Sequence, residues 1–377
     1  MRLAFLTNNR FPPREGVGRH VFELARRMQQ RGHAVTVLAR GGAFARWRES
    51  GVDGLRVRHY PFYPLRPFHQ AFTRTELAGW LADGADGAEL LHVHLPLLPP
   101  LPAHLPLVAT FHSPMLADTG AIPERGWRPM LIRANARLFS RRYEQRYLDH
   151  AVQTVAVSAA VRRELEAGYR VPNRPTVVPN GVDANFFAFA PPRGRGPAIL
   201  YVGRLGYRKG LFRLLEAFAR LPRQLASELV LVLVGEGPLD AALRGRAAAL
   251  GIADRVRFAG FLDRGAVRAE LQEAACLVNP ADYETGPLTL LEAMACGTPV
   301  VSTATGLARE MGQDPPLLLA RPQPGALAAA IVDVLRDPDG AATRARDART
   351  LVAGRFDWER AVDRLEWLYG VRREQAA

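Results

Sequence analysis

The chain has 377 residues, enough for two domains of ordinary size, and its 48% hydrophobic and 23% charged residues are those of a globular protein with a buried core. Two cysteines, Cys276 and Cys296, exclude a disulfide-stapled scaffold and point to a reducing cytoplasm, and no apolar run reaches the roughly 18 residues of a membrane span. The net charge of +13 is uneven: residues 1–190 carry 25 arginines against 15 acidic residues, and residues 191–377 carry 25 cations against 22.

That excess favours an anionic partner on the first half, such as a membrane surface, a phosphorylated acceptor or an acidic glycan; general arginine enrichment explains it equally well. The start, Met1–Arg10, has too short an apolar run for a secretory signal. A strand is expected at Leu3–Thr7. Further strands are expected at Ala34–Ala39, Leu90–His94, Leu107–Phe111, Val152–Val157 and Thr176–Pro179. His92 and His94 alternate on one of them, with His104 nearby, but no Cys or carboxylate completes a metal set. His112 falls just past the end of another, where site residues of open α/β sheets gather; a lone histidine there is also commonly structural. Trp127–Tyr147 reads as a basic helix: Arg133, Arg137 and Arg141 recur every four residues, Arg142 and Arg146 lie beside them, and Trp127, Leu131, Leu138 and Phe139 fill other positions. Such a helix suits an anionic bilayer surface, or is a solvated face of an ordinary packed helix.

The stretch Pro191–Pro197 reads as a linker. Strands then resume at Ile199–Val202, Leu229–Val234, Val256–Ala259, Leu277–Pro280, Pro299–Ser302 and Leu317–Leu319. Unbroken apolar runs separated by helical patterns predict parallel strands buried on both faces, hence an α/β fold of two Rossmann-like halves with a ligand cleft between them. The expected boundaries are 1–190, 191–356 and a C-terminal helix over 357–377, whose apolar positions Ala361, Leu365 and Leu368 repeat at helical spacing. Asp337-Pro338-Asp339 spells acid-x-acid, but Asp-Pro and Asp-Gly initiate turns, so a turn is expected there rather than a metal site.

Two clusters carry the chemistry. Of the 50 cations only Lys209 is a lysine, five residues after Arg204 in Gly203-Arg204-Leu205-Gly206-Tyr207-Arg208-Lys209-Gly210. A glycine turn between a strand and a helix offers backbone amides to an anion, and two cations add charge-assisted bonds. Glu284 sits in a Gly/Pro loop, and Glu292 in an otherwise apolar helix, where a carboxylate needs hydrogen-bond donors such as vicinal hydroxyls, or a structural arginine.

The run from Glu284 to Glu292-Ala-Met-Ala-Cys-Gly-Thr-Pro-Val-Val resembles the two-glutamate signature of the retaining glycosyltransferases of family 4, which have the GT-B fold. Gly203-Arg204-Leu205 with Lys209-Gly210, Val177-Val178-Pro179-Asn180-Gly181-Val182-Asp183 and Gly235-Glu236-Gly237-Pro238 also resemble that family, and Pro12, Pro13, Gly16, Val17 and Gly18 followed by Leu24, Arg31-Gly32-His33 and Val35 look like its amino-terminal glycine loop and first helix, so that the resemblance runs over nearly the whole chain. The resemblance implies that Arg204 and Lys209 hold the diphosphate of a nucleotide-sugar donor and that Glu292 binds ribose hydroxyls. It implies that Glu284 contacts the donor sugar, that Gly235 borders the base, and that Gly16 and Gly18 let backbone approach the donor. His112 matches a histidine that bonds a sugar hydroxyl. Where the family has an aromatic residue and a second glycine, this chain has Gly286-Pro287, and Pro287 has no N–H to donate. Backbone contacts to the sugar are therefore expected from Gly286, Leu288 or Thr289. No cofactor and no metal are implied; the acceptor is expected to be a lipid or a glycan, and the protein cytoplasmic or peripheral on a membrane. The alternatives are a sugar-nucleotide epimerase of the same fold and a non-catalytic binder of anionic membrane or nucleic acid, for which no nucleic-acid motif appears.

Overall fold

Aliphatic runs without polar alternation bury both faces of their strands: Leu3, Ala4, Phe5 and Leu6, and Leu91 to Val93, are all 0–1% exposed. The structure, a computed structural model, describes residues 1–64, 69–102, 104–123, 126–191, 196–222, 225, 228–311 and 316–370, with Arg128 in its backbone alone. The linker positions 192–195 and the end of the C-terminal segment from Val371 lie outside the described residues.

The chain divides into two units, Met1–Gly120 with Arg125–Asn180 and Trp358–Ala377, and Ala121–Glu124 with Gly181–Asp357. In the first, eight strands form one sheet in the order β3-β4-β2-β1-β5-β6-β7-β8: β1 (Arg2–Thr7), β2 (Ala34–Ala43), β3 (Arg48–Val52), β4 (Leu55–Phe62), β5 (Leu90–Leu95), β6 (Leu107–Phe111), β7 (Gln153–Ala156) and β8 (Thr176–Val177). In the second, six parallel strands run β11-β10-β9-β12-β13-β14: β9 (Ala198–Val202), β10 (Val230–Val234), β11 (Val256–Gly260), β12 (Cys276–Asn279), β13 (Val300–Thr303) and β14 (Leu318–Ala320).

The hairpin of β3 and β4 departs from the sequence reading, which placed no strand there. It is antiparallel, Val52 facing Leu55, while the rest of the sheet is parallel. Its turn is Asp53-Gly54, both at positive φ (47° and 80°), the turn that matches strand twist in a two-residue hairpin. The Asp-Gly pair was the available signal; β3 itself carries Arg48, Glu49 and Ser50 and lacks the apolar run that marks a buried strand.

The helix Trp358–Leu368 packs on the helix Gly16–Gln30 within the first unit. Arg31 reaches Asp363 at 2.6 Å and Glu366 at 2.8 Å and also pairs with Glu359, and His33 lies 3.1 Å from Glu366. Asp337-Pro338-Asp339 is a helix start rather than the expected turn: the Asp337 side chain accepts from the Gly340 amide at 2.9 Å, and Pro338 opens the helix Pro338–Arg355. The segment from Trp127 is two α-helices, Trp127–Asn135 and Arg141–His150, joined by a π turn over Ala136–Ser140. That wider turn breaks the four-residue register that would put Arg133, Arg137 and Arg141 on one α-helical face.

Candidate active site

The second unit gathers its charged loops at the carboxyl ends of β9, β10 and β12. Backbone bonds lock the turns together: Gly203 N donates to Val234 O (3.0 Å), Leu205 N to Glu236 O (2.9 Å), Leu239 N to Leu205 O (3.0 Å) and Asp282 N to Arg208 O (2.8 Å). Two glycines are fixed by these crossings. Gly210, at φ 66°, would place a Cβ 2.0 Å from Pro280 O, and Gly235, at φ 128°, one 2.0 Å from Gly203 O.

Lys209 and Glu284 form an ion pair, their side chains 19% and 16% exposed. A second pair joins the same two segments of chain: Arg213 meets Asp282 at 2.5 Å and donates to Pro280 O at 2.9 Å. Sequence reasoning gave Lys209 and Glu284 separate duties and passed over Arg213 and Asp282. Their signal was spacing, a cation four residues after Lys209 and a carboxylate two before Glu284. The buried Tyr201 hydroxyl donates to Arg204 O at 3.0 Å, and burial, then the charge of Glu284, holds it well above the usual phenol range. Arg204 itself is exposed. Arg208 stands at φ 61°, a left-handed backbone that non-glycine residues seldom adopt, with its guanidinium 5.8 Å from the Tyr283 ring centroid.

Glu292 lies half-buried on the helix Leu288–Cys296, among fully buried Leu290, Leu291, Ala293 and Met294. Gly286 is buried just before it, and Pro287 caps the helix with extended backbone. Leu288 and Thr289 therefore form the first turn, where helix amides point outward from the N-terminus. Arg204, Lys209, Gly235, Glu284, Gly286, Leu288, Thr289 and Glu292 are thus all residues of the second unit, and Lys209 and Glu284 are in direct contact.

Gly16, Gly18 and His112 belong to the first unit. Gly16 has open space around it, whereas a Cβ on Gly18 would stand 3.0 Å from Pro13 Cβ and 3.1 Å from Asn9 Cβ. Gly18 therefore has a packing reason of its own. His112 follows β6 and is joined by two histidines that sequence reasoning did not group with it. His94 Nδ1 lies 3.3 Å from His112 Nε2, the His20 ring stands edge-on to His112 at 4.6 Å between centroids, and His20 Nδ1 lies 2.8 Å from Asn180 Oδ1. His92 continues the set, 2.5 Å from the Tyr369 hydroxyl and 2.7 Å from Thr110 Oγ1. Burial depresses all four imidazoles, His20 to about 4 and His92 to about 3, with neighbouring imidazoles adding to the shift at His92, His94 and His112. They are neutral at pH 7.

Nitrogen atoms of His20, His94 and His112 lie within 4.8 Å of one another, and buried His94 Nε2 has no hydrogen-bond partner among the described residues. Three neutral imidazoles are a donor set that zinc accepts. Two of the rings already bond each other and the third bonds Asn180, so seating an ion would mean rearranging those bonds. His104 is not part of the set.

Comparison with known proteins agrees with this architecture. Residues 183–351 match the family described as Glycosyl transferases group 1, and residues 14–186 match Glycosyltransferase Family 4. The phosphatidyl-myo-inositol mannosyltransferase of Mycobacterium tuberculosis (strain ATCC 25618 / H37Rv) is 30% identical over 397 residues, covering 98% of this chain and 96% of that protein. The glycogen synthase of the same organism is 40% identical over 189 residues, 49% of this chain but 45% of that enzyme, so the chain spans under half the length of that relative. Among solved structures, sucrose-phosphate synthase from Thermosynechococcus elongatus superposes with a TM-score of 0.79 at 23% identity, covering 98% of both chains. Two α/β units of this kind define a GT-B glycosyltransferase fold. The chain belongs to glycosyltransferase family 4.

Proposed function

We propose that the protein is a retaining glycosyltransferase that moves a sugar from a nucleoside diphosphate α-sugar to a lipid or glycan acceptor without a metal ion. The observation that carries this is the Lys209–Glu284 pair, held in glycine turns at the carboxyl ends of β9 and β12. With no donor bound, the two charges neutralise each other. A donor diphosphate competes for the ammonium, which leaves the Glu284 carboxylate to accept from sugar hydroxyls. Arg204, exposed beside the same turn, adds a second cation to the diphosphate, and Glu292 accepts from the ribose.

In the reaction the bond from the anomeric carbon to the diphosphate oxygen breaks, its electron pair leaving with the diphosphate. The acceptor oxygen bonds that carbon on the same face, and its proton passes to the departing phosphate. Charge grows on the diphosphate as the bond breaks, and Lys209 and Arg204 stabilise it there. His112, a neutral imidazole, serves as hydrogen-bond partner for a sugar hydroxyl. The relative whose name makes it a phosphatidyl-myo-inositol mannosyltransferase favours a lipid acceptor, which would bring the protein to a membrane as a peripheral partner.

Turnover assays on a panel of nucleotide sugars, with nucleotide release and product both followed, test the reading. It predicts nucleotide release only with acceptor present and full activity in chelator. NMR showing donor converted with no acceptor present identifies an epimerase instead. Chelator-sensitive activity restored by zinc, with zinc bound in stoichiometric amount, moves the chemistry to His20, His94 and His112.

A further inference from the structure

The segment Trp127–Arg146 turns a row of large apolar side chains to solvent. Trp127 is 65% exposed, Met130 59%, Leu131 56%, Leu138 56% and Phe139 45%. Trp127, Met130 and Leu131 are spaced so that one face of their helix carries all three. Exposed arginines stand among them: Arg137, Arg141, Arg142 and Arg146. The segment's single acidic residue, Glu144, faces inward. It is buried, accepts from Met115 N at 3.1 Å and from the Tyr169 hydroxyl, and leaves the outer surface purely cationic.

We propose that this surface is a docking site for an anionic phospholipid bilayer. A single Trp or Leu at a surface means little, but a cluster of large apolar groups marks a contact. Interleaved arginines select a partner that is both apolar and negatively charged. A bilayer meets both demands: aromatic and aliphatic groups enter the headgroup boundary while guanidinium groups stay with lipid phosphates. Each arginine near an anionic membrane contributes roughly fivefold to binding, so three together contribute on the order of a hundredfold. Glu144 ties this surface to the turn after β6, because Met115 is three residues beyond His112. The inference stands on these exposures and charges, and holds whether or not the transferase reading is right.

The test is co-sedimentation of the full chain with vesicles of phosphatidylcholine alone or mixed with phosphatidylglycerol. Binding is expected only with phosphatidylglycerol. The variant R137Q/R141Q/R142Q should bind on the order of a hundredfold more weakly, and L131S/L138S/F139S should also lose binding. The variant R48Q/R56Q/R74Q, with the same charge removed from exposed sites elsewhere in the first unit, should bind like the parent. All changed side chains are exposed, and tryptophan fluorescence checks that each variant is folded. No binding to phosphatidylglycerol vesicles overturns the proposal. So does equal loss in the two arginine triples, which would mean general charge attraction. Concentration-dependent dimerisation without vesicles, abolished by L131S/L138S/F139S, would make the face a protein interface and overturn it equally.

Discussion

A lysine kept in a chain that otherwise uses arginine is either a residue of composition or a point charge at a site. Its neighbours decide: Lys209 is four-fifths buried and paired with Glu284. Lys209→Arg is the discriminating change, because a planar fork does not fit where a compact ammonium sits. Both Lys209→Arg and Lys209→Ala should lower kcat by about 100- to 1000-fold, the usual cost of removing one donor from developing charge. Wild-type turnover by Lys209→Arg would return the residue to composition. Gly210, beside it, is set by backbone alone: Gly210→Ala forces a Cβ onto Pro280 O at a left-handed φ. The strain should cost on the order of 3 kcal/mol, seen as a lowered unfolding midpoint and weaker nucleotide protection.

At the scale of elements, Arg31 anchors the C-terminal helix alongside Arg27, His33 and the helix's buried apolar face. Arg31 is mostly buried and bridges Glu359, Asp363 and Glu366, of which Glu366 is 5% exposed at its side chain. Removing one partner of a buried pair leaves the other charge uncompensated, so Arg31→Ala should destabilise the first unit by on the order of 3 kcal/mol. Hydrogen exchange should show the loss first in Trp358–Leu368. The buried titratable side chains of the first unit make a pH prediction with two signs. As pH falls from about 6.5 through 4, the unfolded chain takes up protons that buried His20 and His92 refuse, so stability falls with acidity. Glu144 acts oppositely. Burial raises its carboxyl to about 8, so the unfolded chain loses that proton first and stability falls again as pH rises from about 4.5 through 8. All five tryptophans lie in the first unit, so their fluorescence in urea at stepped pH reads both slopes. His20→Asn should flatten the acid side and Glu144→Gln the alkaline side; unchanged slopes would refute the assignment.

For the molecule as a whole, the functional reading assigns the donor's diphosphate to the second unit. Saturating nucleoside diphosphate at 100 times its dissociation constant should stabilise the folded protein by about 2.7 kcal/mol. The protection should appear by hydrogen exchange at β9, β10 and β12 and vanish in Lys209→Ala. Protection confined to the first unit would contradict that assignment.

The sequence by itself determined the strands that are buried on both faces, because a run such as Leu107–Phe111 has no polar side to leave in water and needs no distant partner to declare itself. It also determined the glycine turns and the two glutamates, which sit at fixed intervals along one stretch of chain. It did not show β3, whose pattern is polar and whose only marker is the Asp53-Gly54 turn, nor the π turn that resets the arginine register. Tertiary structure alone decided that Lys209 finds Glu284 across 75 residues, that His20 meets His94 and His112, and that Arg31 receives three acids from the far end of the chain. Local preference is written in neighbouring residues, whereas these contacts depend on which strand ends the sheet order brings side by side, and that order is set by packing the whole unit.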